Sequence, residues 1–242
     1  MAQSVPAVLH ILHTNDMHGT LAQASFGKLK ALRDRCDLYF DTGDAIKTGN
    51  LGVPLKPEPV WPLLEALGCD AGVPGNRESH LLPAVFEAKL KGAAHPILCA
   101  NLRHRDGTRP LPGLLKIERQ GIRVGVVGVM VAMVTAKMRT QAASAYLWDP
   151  PVETAREIGG QLRADVDLLI ALTHIGHRKD LELAEGGPFD IVLGGHSHTV
   201  LQEPQKVGRT WVCQGGSHNR FAGVYTWDGA LSGGLVAIAP DL

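Results

Sequence analysis

The pattern of hydrophobic and polar positions predicts strands that alternate with helices along most of the chain. Short apolar runs bounded by glycine or polar clusters are typical of buried strands, and apolar residues at helical spacing predict the segments between them. Helices are predicted at 27–35, 60–68, 81–91, 150–164 and 178–186. Strands are predicted at 7–12, 38–44, 95–102, 114–119, 122–130, 166–173 and 189–193, with a short one before Gly75 and antiparallel ones within 205–239. This alternation indicates an α/β fold.

The stretch 38–44 places a carboxylate at the end of a buried strand. Three apolar residues lead into Asp41-Thr42-Gly43-Asp44, where the glycine lets the chain turn. In open α/β sheets the carboxyl ends of the strands form the edge at which ligands bind. Asp44 is therefore the candidate centre of a metal site, although a turn rich in Asp and Gly is more often structural.

Metal-binding side chains follow four further predicted strands. Asp16 and His18 are separated by one residue, so a carboxylate and an imidazole can reach the same cation. The amide oxygen of Asn76 can bind a metal without adding charge. Each motif is weak by itself, but the ordered set is specific. Imidazole and carboxylate donors without thiolate suit Mn, Fe, Zn, Co or Ni. The seven candidates are Asp16, His18, Asp44, Asn76, His174, His196 and His198.

Composition narrows the possible partners of the chain. Lys and Arg together number 24, as do Asp and Glu, so the net charge of zero gives no reason to expect a nucleic-acid polymer or a membrane as partner. Aromatic residues make up only 5%, which argues against base-stacking surfaces. No apolar stretch is long enough to span a membrane, and no secretory signal is recognisable at the N-terminus. We therefore expect a cytoplasmic protein, while a mature form that has lost a cleaved signal stays open.

Cysteine usage and the absence of linkers bear on compartment and domain count. The four cysteines contain no C-x-x-C pair, and we expect them to be free thiols. No segment has the composition of an interdomain linker, so residues 1–242 are predicted to form a single domain. Oligomeric state is not predicted.

The order of the motifs resembles that of the calcineurin-like metallophosphoesterases. The motifs are D-x-H, G-D, G-N-x-E, a strand that ends in His, and G-G-H-x-H. More narrowly, residues 13–19 and 194–198 resemble the N-terminal catalytic domain of the 5′-nucleotidase/UDP-sugar hydrolase family, and the similarity runs from about residue 8 to 227. The resemblance implies a metallophosphoesterase fold: a four-layer sandwich of two mixed β-sheets flanked by α-helices.

The same resemblance implies a dinuclear metal centre with manganese as the favoured ion. One metal would be bound by Asp16, His18, Asp44 and His198, and the other by Asp44, Asn76, His174 and His196. Asp44 would bridge them, and a hydroxide held between the metals would attack the phosphorus of a small phosphorylated substrate in line. Asp41, Glu78 and His177 are expected to orient the ligands.

The chain departs from the family pattern beside the metal-binding asparagine. The family has a histidine there, with an acidic partner three residues later, whereas this chain has Arg77 and His80. Arginine does not give up its proton, so we expect Arg77 to bind phosphoryl oxygens. If a short helix begins here, His80 faces the same way and protonates the leaving group. The alternative is that both are surface residues and that the metals alone carry catalysis.

The sequence therefore predicts a metal-dependent phosphatase or phosphodiesterase. Since the sequence ends soon after the last motif, we expect no C-terminal domain of the kind that the resemblance implies for holding the base in nucleotidases, and nucleotide specificity stays open. The alternative prediction is a metal-binding regulatory protein of the same fold with little turnover, which Arg77 favours. A third possibility is a hydrolase with the same chemistry whose substrate is a sulfur-linked ester.

Overall fold

A computed structural model describes residues 8–21, 23–135 and 137–239. Within these ranges five helices form: α1 (Gln23–Arg33), α2 (Val60–Ala66), α3 (Pro83–Leu90), α4 (Pro151–Leu162) and α5 (His177–Ala184). The strands are β1 (Leu9–Thr14), β2 (Leu38–Asp41), β3 (Ala71–Gly72), β4 (Leu102–His104), β5 (Leu114–Arg119), β6 (Ile122–Met130), β7 (Tyr146–Trp148), β8 (Leu168–His174), β9 (Ile191–Gly194), β10 (Gln205–Val207), β11 (Thr210–Cys213), β12 (Phe221–Trp227) and β13 (Leu231–Ala237).

The strands form two large mixed sheets. The first has the order β13-β12-β1-β2-β3, in which β1, β2 and β3 are parallel and the other pairs antiparallel. The second has the order β10-β11-β9-β8-β6-β5, in which β11, β9, β8 and β6 are parallel. A small third sheet joins β4 to β7.

Apolar side chains bury both faces of each large sheet. Between the sheets, Phe40 of β2 and Ile170 of β8 belong to one fully buried cluster. On the outer face of the first sheet, Leu12 clusters with Trp61 of α2, and α1 also packs there. On the outer face of the second sheet, side chains of α4 and α5 pack, among them Ala155. The helices and sheets thus form the four layers that the family resemblance implies, and the predicted fold class is confirmed.

The parallel strands explain why the candidate ligand residues lie at one edge of the two sheets. Parallel strands in one sheet end on the same side, and both sheets direct the carboxyl ends of their parallel strands to a shared rim. Thr42, which follows β2, donates through Oγ1 to the carbonyl of Gly194 at the end of β9 over 3.0 Å. This bond joins the two sheets where the candidate ligands leave them.

Several predicted elements differ from the structure in detail. The predicted strand 95–102 is wrong over most of its length: only Ile97 forms an isolated bridge, to Gly72, and β4 begins at Leu102. The segment still lies buried between strands, and burial makes its composition strand-like. The strand β7 was not predicted. The predicted strands 114–119 and 122–130 are confirmed.

The described ranges also contain the four cysteines and can be searched for membrane-spanning helices. All four cysteines are free. No helix there is long and apolar enough to cross a membrane.

Candidate metal centre

Five of the seven predicted ligand residues share an unusual backbone conformation. A positive φ is uncommon outside glycine and costs energy, so it persists where the surrounding structure enforces it. Such values cluster at the rim where the two sheets meet. They occur at Asp16 (50°), His18 (53°), Asp44 (53°), His196 (79°) and His198 (54°). The backbone thus bends sharply at each of these strand ends and turns the side chains inward.

Asp16 presents one oxygen to the cluster and uses the other as an anchor. Its Oδ2 accepts hydrogen bonds from Asn15 Nδ2 at 2.8 Å and from the backbone N–H of His196 at 2.9 Å. Its Oδ1 lies 3.7 Å from His18 Nε2 and 3.3 Å from His198 Nε2. The anchored carboxylate therefore offers a free oxygen beside two imidazoles.

Asp44 lies between two imidazoles that come from different sheets. Its Oδ2 is 3.5 Å from His18 Nε2, and its Oδ1 is 3.6 Å from His174 Nε2. The segment at residue 75 packs against this carboxylate and depends on glycine, because a Cβ at Gly75 would overlap the Asp44 carboxylate. Each oxygen of this one side chain faces a separate group of donors.

Asn76 completes the side of the cluster that contains His174. The Nδ1 of His174 lies 2.7 Å from the carbonyl of Thr42, which can only accept, so in the neutral ring Nδ1 carries the proton and Nε2 the lone pair. That Nε2 is 3.2 Å from Asn76 Oδ1, and His196 Nδ1 is 2.8 Å from the same oxygen. A carbonyl that fixes the tautomer of a histidine in this way is typical of metal ligands.

Opposite charges set the protonation of the cluster. Although burial opposes ionisation of Asp16, the His18 side chain and the charge of His174 lower its pKa to about 2. Burial also disfavours charge on His18, yet Asp16 and Asp44 raise its pKa to about 9. In His174 the same two carboxylates outweigh burial and raise the pKa. The cluster thus retains protons that a cation would have to displace.

The residues present fit divalent metals. Within the described part of the chain, Asp16 Oδ1 and His18 Nε2 are buried without a hydrogen-bond partner. Buried polar atoms are rarely left unpaired, so these two indicate a ligand between them. Donor atoms within 4.8 Å of one another form two triads, one of Asp16, His18 and His198 and one of Asp16, Asp44 and His174. Asp16 belongs to both triads, whereas the resemblance gives the shared role to Asp44.

The three residues expected to orient the ligands have different surroundings. Glu78 is buried and accepts the backbone N–H groups of Asp44 at 2.9 Å, Gly75 at 2.8 Å and Ile46 at 3.1 Å. Asp41 is also buried and accepts the Gly43 N–H at 3.1 Å. Both carboxylates thus hold the backbone around Asp44.

His177 lies farther out. Its backbone N–H donates to Ser197 Oγ at 2.9 Å, but its ring Nε2 lies 2.9 Å from Gln205 Oε1 on β10. Its contact with the ligand loop is therefore through the backbone.

Arg77 and His80 are not placed as a pair. The Arg77 Nε lies 3.9 Å from Asp44 Oδ2, and its NH1 donates to the Lys47 carbonyl at 2.9 Å. Residues 76–78 form a turn and α3 begins only at Pro83, so no helix places His80 one turn beyond Arg77. His80 Nδ1 instead accepts the Leu82 N–H at 3.1 Å. Within the described residues, no hydrogen bond joins the His80 ring to Arg77 or to a candidate ligand.

Two residues beside the cluster escaped sequence reasoning. His218 Nε2 lies 3.2 Å from His18 Nδ1. Lys89 is fully buried, and its ammonium donates to the carbonyls of Gly49 at 3.0 Å, Asn50 at 3.0 Å and Arg77 at 2.6 Å. His218 had a usable signal, since it follows β11 after two glycines much as His196 follows β9. Lys89 had none, because a lysine in a helix is ordinarily exposed.

Comparison with known proteins agrees with this geometry. A 5′-nucleotidase of Vibrio cholerae is 30% identical over 228 residues, which cover 81% of this chain and 40% of that protein. The uncharacterised metallophosphoesterase YunD of Bacillus subtilis is 25% identical over 237 residues, covering 89% of this chain and 49% of that protein. The chain therefore spans less than half the length of these two relatives.

Solved structures share the fold over almost the whole chain. The calcineurin-like phosphoesterase YfkN from Bacillus subtilis superposes with a TM-score of 0.78 at 21% identity, covering 98% of this chain and 92% of that one. The sulfate thiohydrolase SoxB from Thermus thermophilus gives 0.80 at 17% identity, covering 98% and 58%. The family model for calcineurin-like phosphoesterases matches residues 9–200. The chain belongs to the calcineurin-like phosphoesterase family.

Proposed function

We propose that this protein is a phosphoester hydrolase that works with two divalent metal ions. The observation that carries the proposal is the position of Asp44, whose two carboxylate oxygens lie 3.5 Å from His18 Nε2 and 3.6 Å from His174 Nε2. A carboxylate with a separate imidazole beside each oxygen suits a bridge between two cations. When bound, such a pair supplies an activated water and neutralises charge on a phosphoryl group.

In this proposal the other six candidate ligands divide into two sets around Asp44. Asp16, His18 and His198 lie on one side, while Asn76, His174 and His196 lie on the other. Manganese is our first choice of metal, with Fe, Zn, Co and Ni as alternatives that the same donors accept. The free oxygen of Asp16 lies near both sets, and its contribution to the second metal is part of the test described below.

Arg77 would bind the phosphoryl group. Its guanidinium keeps its charge at working pH and lies beside Asp44, held by the Lys47 carbonyl. It would hold equatorial oxygens of a phosphate near the metals and stabilise the charge that they carry in the transition state. Arg77 would not protonate the leaving group.

His80 remains our candidate for protonating the leaving group, although its contacts do not support that role. The ring Nδ1 is engaged by Leu82, and burial followed by the charge of Lys89 lowers its pKa. Turnover of His80→Ala on aryl phosphates whose leaving groups differ in pKa decides the matter. A loss confined to poor leaving groups would support the role, and an equal loss for all would exclude it.

The substrate would be a small phosphorylated molecule. Kinship with nucleotidases makes nucleotides reasonable first candidates, but the chain matches less than half of those proteins. The decisive experiment measures hydrolysis of aryl phosphate mono- and diesters, nucleotides, cyclic nucleotides and UDP-sugars with added Mn²⁺. The variant Asp16→Asn, purified in parallel, controls for contaminating phosphatases.

The second candidate function is a metal-binding regulatory protein with little turnover. The observation in its favour is that Arg77 replaces the family histidine while His80 is engaged elsewhere. Bound metal without hydrolysis of any ester in the panel would support this function. Hydrolysis that disappears in Asp16→Asn would exclude it.

A further inference from the structure

His218 lies on a loop that is tied to the metal centre at several points. The loop follows β11, which runs parallel to β9, and therefore leaves the second sheet at the ligand rim. Asn15 accepts the Gly215 N–H at 2.9 Å and donates to the Gly216 carbonyl at 2.7 Å. The His218 N–H donates to the Asp16 carbonyl at 2.8 Å. The position of the His218 backbone is thus fixed relative to Asp16.

The His218 ring meets the ring of His18 edge to face. The ring centroids are 4.6 Å apart and the ring planes cross at 89°. His218 Nε2 lies 3.2 Å from His18 Nδ1, and its own Nδ1 lies 2.9 Å from Ser217 Oγ. Like five of the seven candidate ligands, His18 among them, His218 has a positive φ, of 59°. The contact is therefore part of the same bent rim.

The ring of His18 can bind a metal through only one of its nitrogens. Its Nε2 points at the carboxylates of Asp16 and Asp44, so a ligand lone pair must lie there. A neutral imidazole has one N–H, which must then be on Nδ1. The hydrogen-bond partner beside Nδ1 is His218 Nε2, which must accept. The His218 proton is then on Nδ1 and is donated to Ser217 Oγ.

We propose that His218 is a positioning residue of this centre, which accepts the Nδ1–H of His18 and so holds the His18 Nε2 lone pair toward the metal. The Thr42 carbonyl does the same for His174 at 2.7 Å. Neighbours of this kind fix the tautomer and the orientation of a metal-binding imidazole. The inference rests on the proposed dinuclear centre but not on turnover.

Titration with Mn²⁺ alone, followed by calorimetry, tests the inference on the whole protein. His218→Phe keeps a ring of similar shape but removes the acceptor, and we expect one of two binding steps to weaken by about 10- to 100-fold. His218→Gln places an amide oxygen near the position of Nε2 and should recover most of that loss. The control His10→Phe replaces an exposed histidine on β1, whose Nδ1 lies 3.2 Å from Thr226 Oγ1, and should match the wild type.

A second measurement reads the tautomer directly. NMR spectra of ¹⁵N-histidine-labelled protein with Zn²⁺ should show that Nδ1 of His18 is protonated. The change in its chemical shift that is due to the hydrogen bond should disappear in His218→Phe and return in His218→Gln. The folded state of each variant is visible in the same spectra.

The outcomes separate the inference from the proposed function. Equal Mn²⁺ affinity in the wild type and His218→Phe, with an unchanged His18 resonance, would overturn the inference alone. If the wild type binds two metals, one binding step weakens in His218→Phe as expected, and no ester is hydrolysed, the inference is supported and the proposed function is overturned. A wild-type protein that binds no metal would overturn both.

Discussion

The backbone N–H of Arg77 donates to Asp44 Oδ1 over 2.7 Å, while the Arg77 Nε lies 3.9 Å from Asp44 Oδ2. One residue thus contacts the proposed bridging carboxylate through both its backbone and its side chain. Substitutions at position 77 that keep the backbone bond therefore isolate the role of the guanidinium.

Arg77→Ala should lower kcat/KM for aryl phosphates by about 100-fold, because a charged donor to the transition state is lost. Metal content, measured by elemental analysis, should stay at the wild-type value since the backbone N–H remains. Relative to Arg77→Ala, Arg77→His should raise kcat/KM most for esters with poor leaving groups, because an imidazole can give up a proton to the leaving group. Identical kcat/KM in Arg77→Ala and the wild type would exclude a role in phosphate binding.

Asp44→Ala should lose both metals or the coupling between them, because each oxygen serves a different set of donors. Asp16→Ala should keep the metal that Asn76, His174 and His196 are proposed to hold. Elemental analysis of the two variants after identical loading with Mn²⁺ gives the comparison. If Asp16 were the shared ligand, Asp16→Ala would lose both metals and Asp44→Ala would keep one. Two fully bound metals in Asp44→Ala would contradict the proposal that Asp44 bridges them.

Metal affinity should rise with pH up to about 9. The His18 pKa is about 9 in the metal-free protein because the carboxylates of Asp16 and Asp44 outweigh the effect of burial, so below that pH a cation must displace a proton. One displaced proton changes the apparent affinity by about tenfold per pH unit. Calorimetry at pH 7, 8 and 9 in buffers of different ionisation enthalpy counts the protons. An affinity that does not change over this range would contradict the assignment.

The raised pKa of His18 also makes the free energy of unfolding of the metal-free protein depend on pH. Because the pKa of His18 is raised in the folded state, its ion pairs stabilise the fold fully below its ordinary value of 6.5. This contribution is lost as the pH rises through about 9. Thermal unfolding with a chelator present should show the decline, and removal of the His18 side chain should flatten it.

Asp41→Asn should become more stable relative to the wild type as the pH rises. Burial raises the Asp41 pKa from 3.8 to about 7, so over that interval the folded protein holds a proton that the unfolded chain releases. Stability therefore falls with rising pH across the interval, and asparagine removes the effect. Chemical denaturation at pH 5 and pH 8 measures the difference. Asp34→Asn, at a surface aspartate that pairs with Lys30, should show no such trend.

Lys89→Met should destabilise the protein by about 2 kcal/mol or more, because the carbonyls at Gly49, Asn50 and Arg77 lose a charged donor. The loop that holds Lys47, and with it the Arg77 guanidinium, should also shift, which raises KM more than it lowers kcat. Urea denaturation and steady-state kinetics give the two readings. The control Lys91→Met, at an exposed lysine two residues along, should change neither.

Much of the site could be predicted because parallel strands impose it. Asp44, His174 and His196 each follow an apolar run, and the sheet brings such strand ends together whatever the rest of the chain does. The sharp backbone bends at Asp44 and His196 were signalled by neighbouring glycines. The family fold followed from the same motifs, whose order along the chain is specific.

The parts of the fold and the site that could not be predicted depend on contacts between segments far apart in the chain. A local sequence pattern gives no information on such contacts. The segment 95–102 has the composition of a strand, but its backbone hydrogen bonds are divided among single residues of β3, β6 and the neighbouring loops and form no continuous ladder. The helix expected between Arg77 and His80 is replaced by a turn, because Glu78 turns inward to the backbone around Asp44. Lys89 is buried only because several loop carbonyls converge on it.

The left-handed backbone at five of the candidate ligand positions has a consequence for directed evolution. Glycine adopts that conformation freely and asparagine readily, so exchanging a ligand such as His198 for either would relax the chain while abolishing a donor. In the metal-free protein, such exchanges would also separate crowded imidazoles. A library screened for heat resistance alone would accumulate these inactive variants, so any selection for robustness must be run with the metal present or paired with an activity screen.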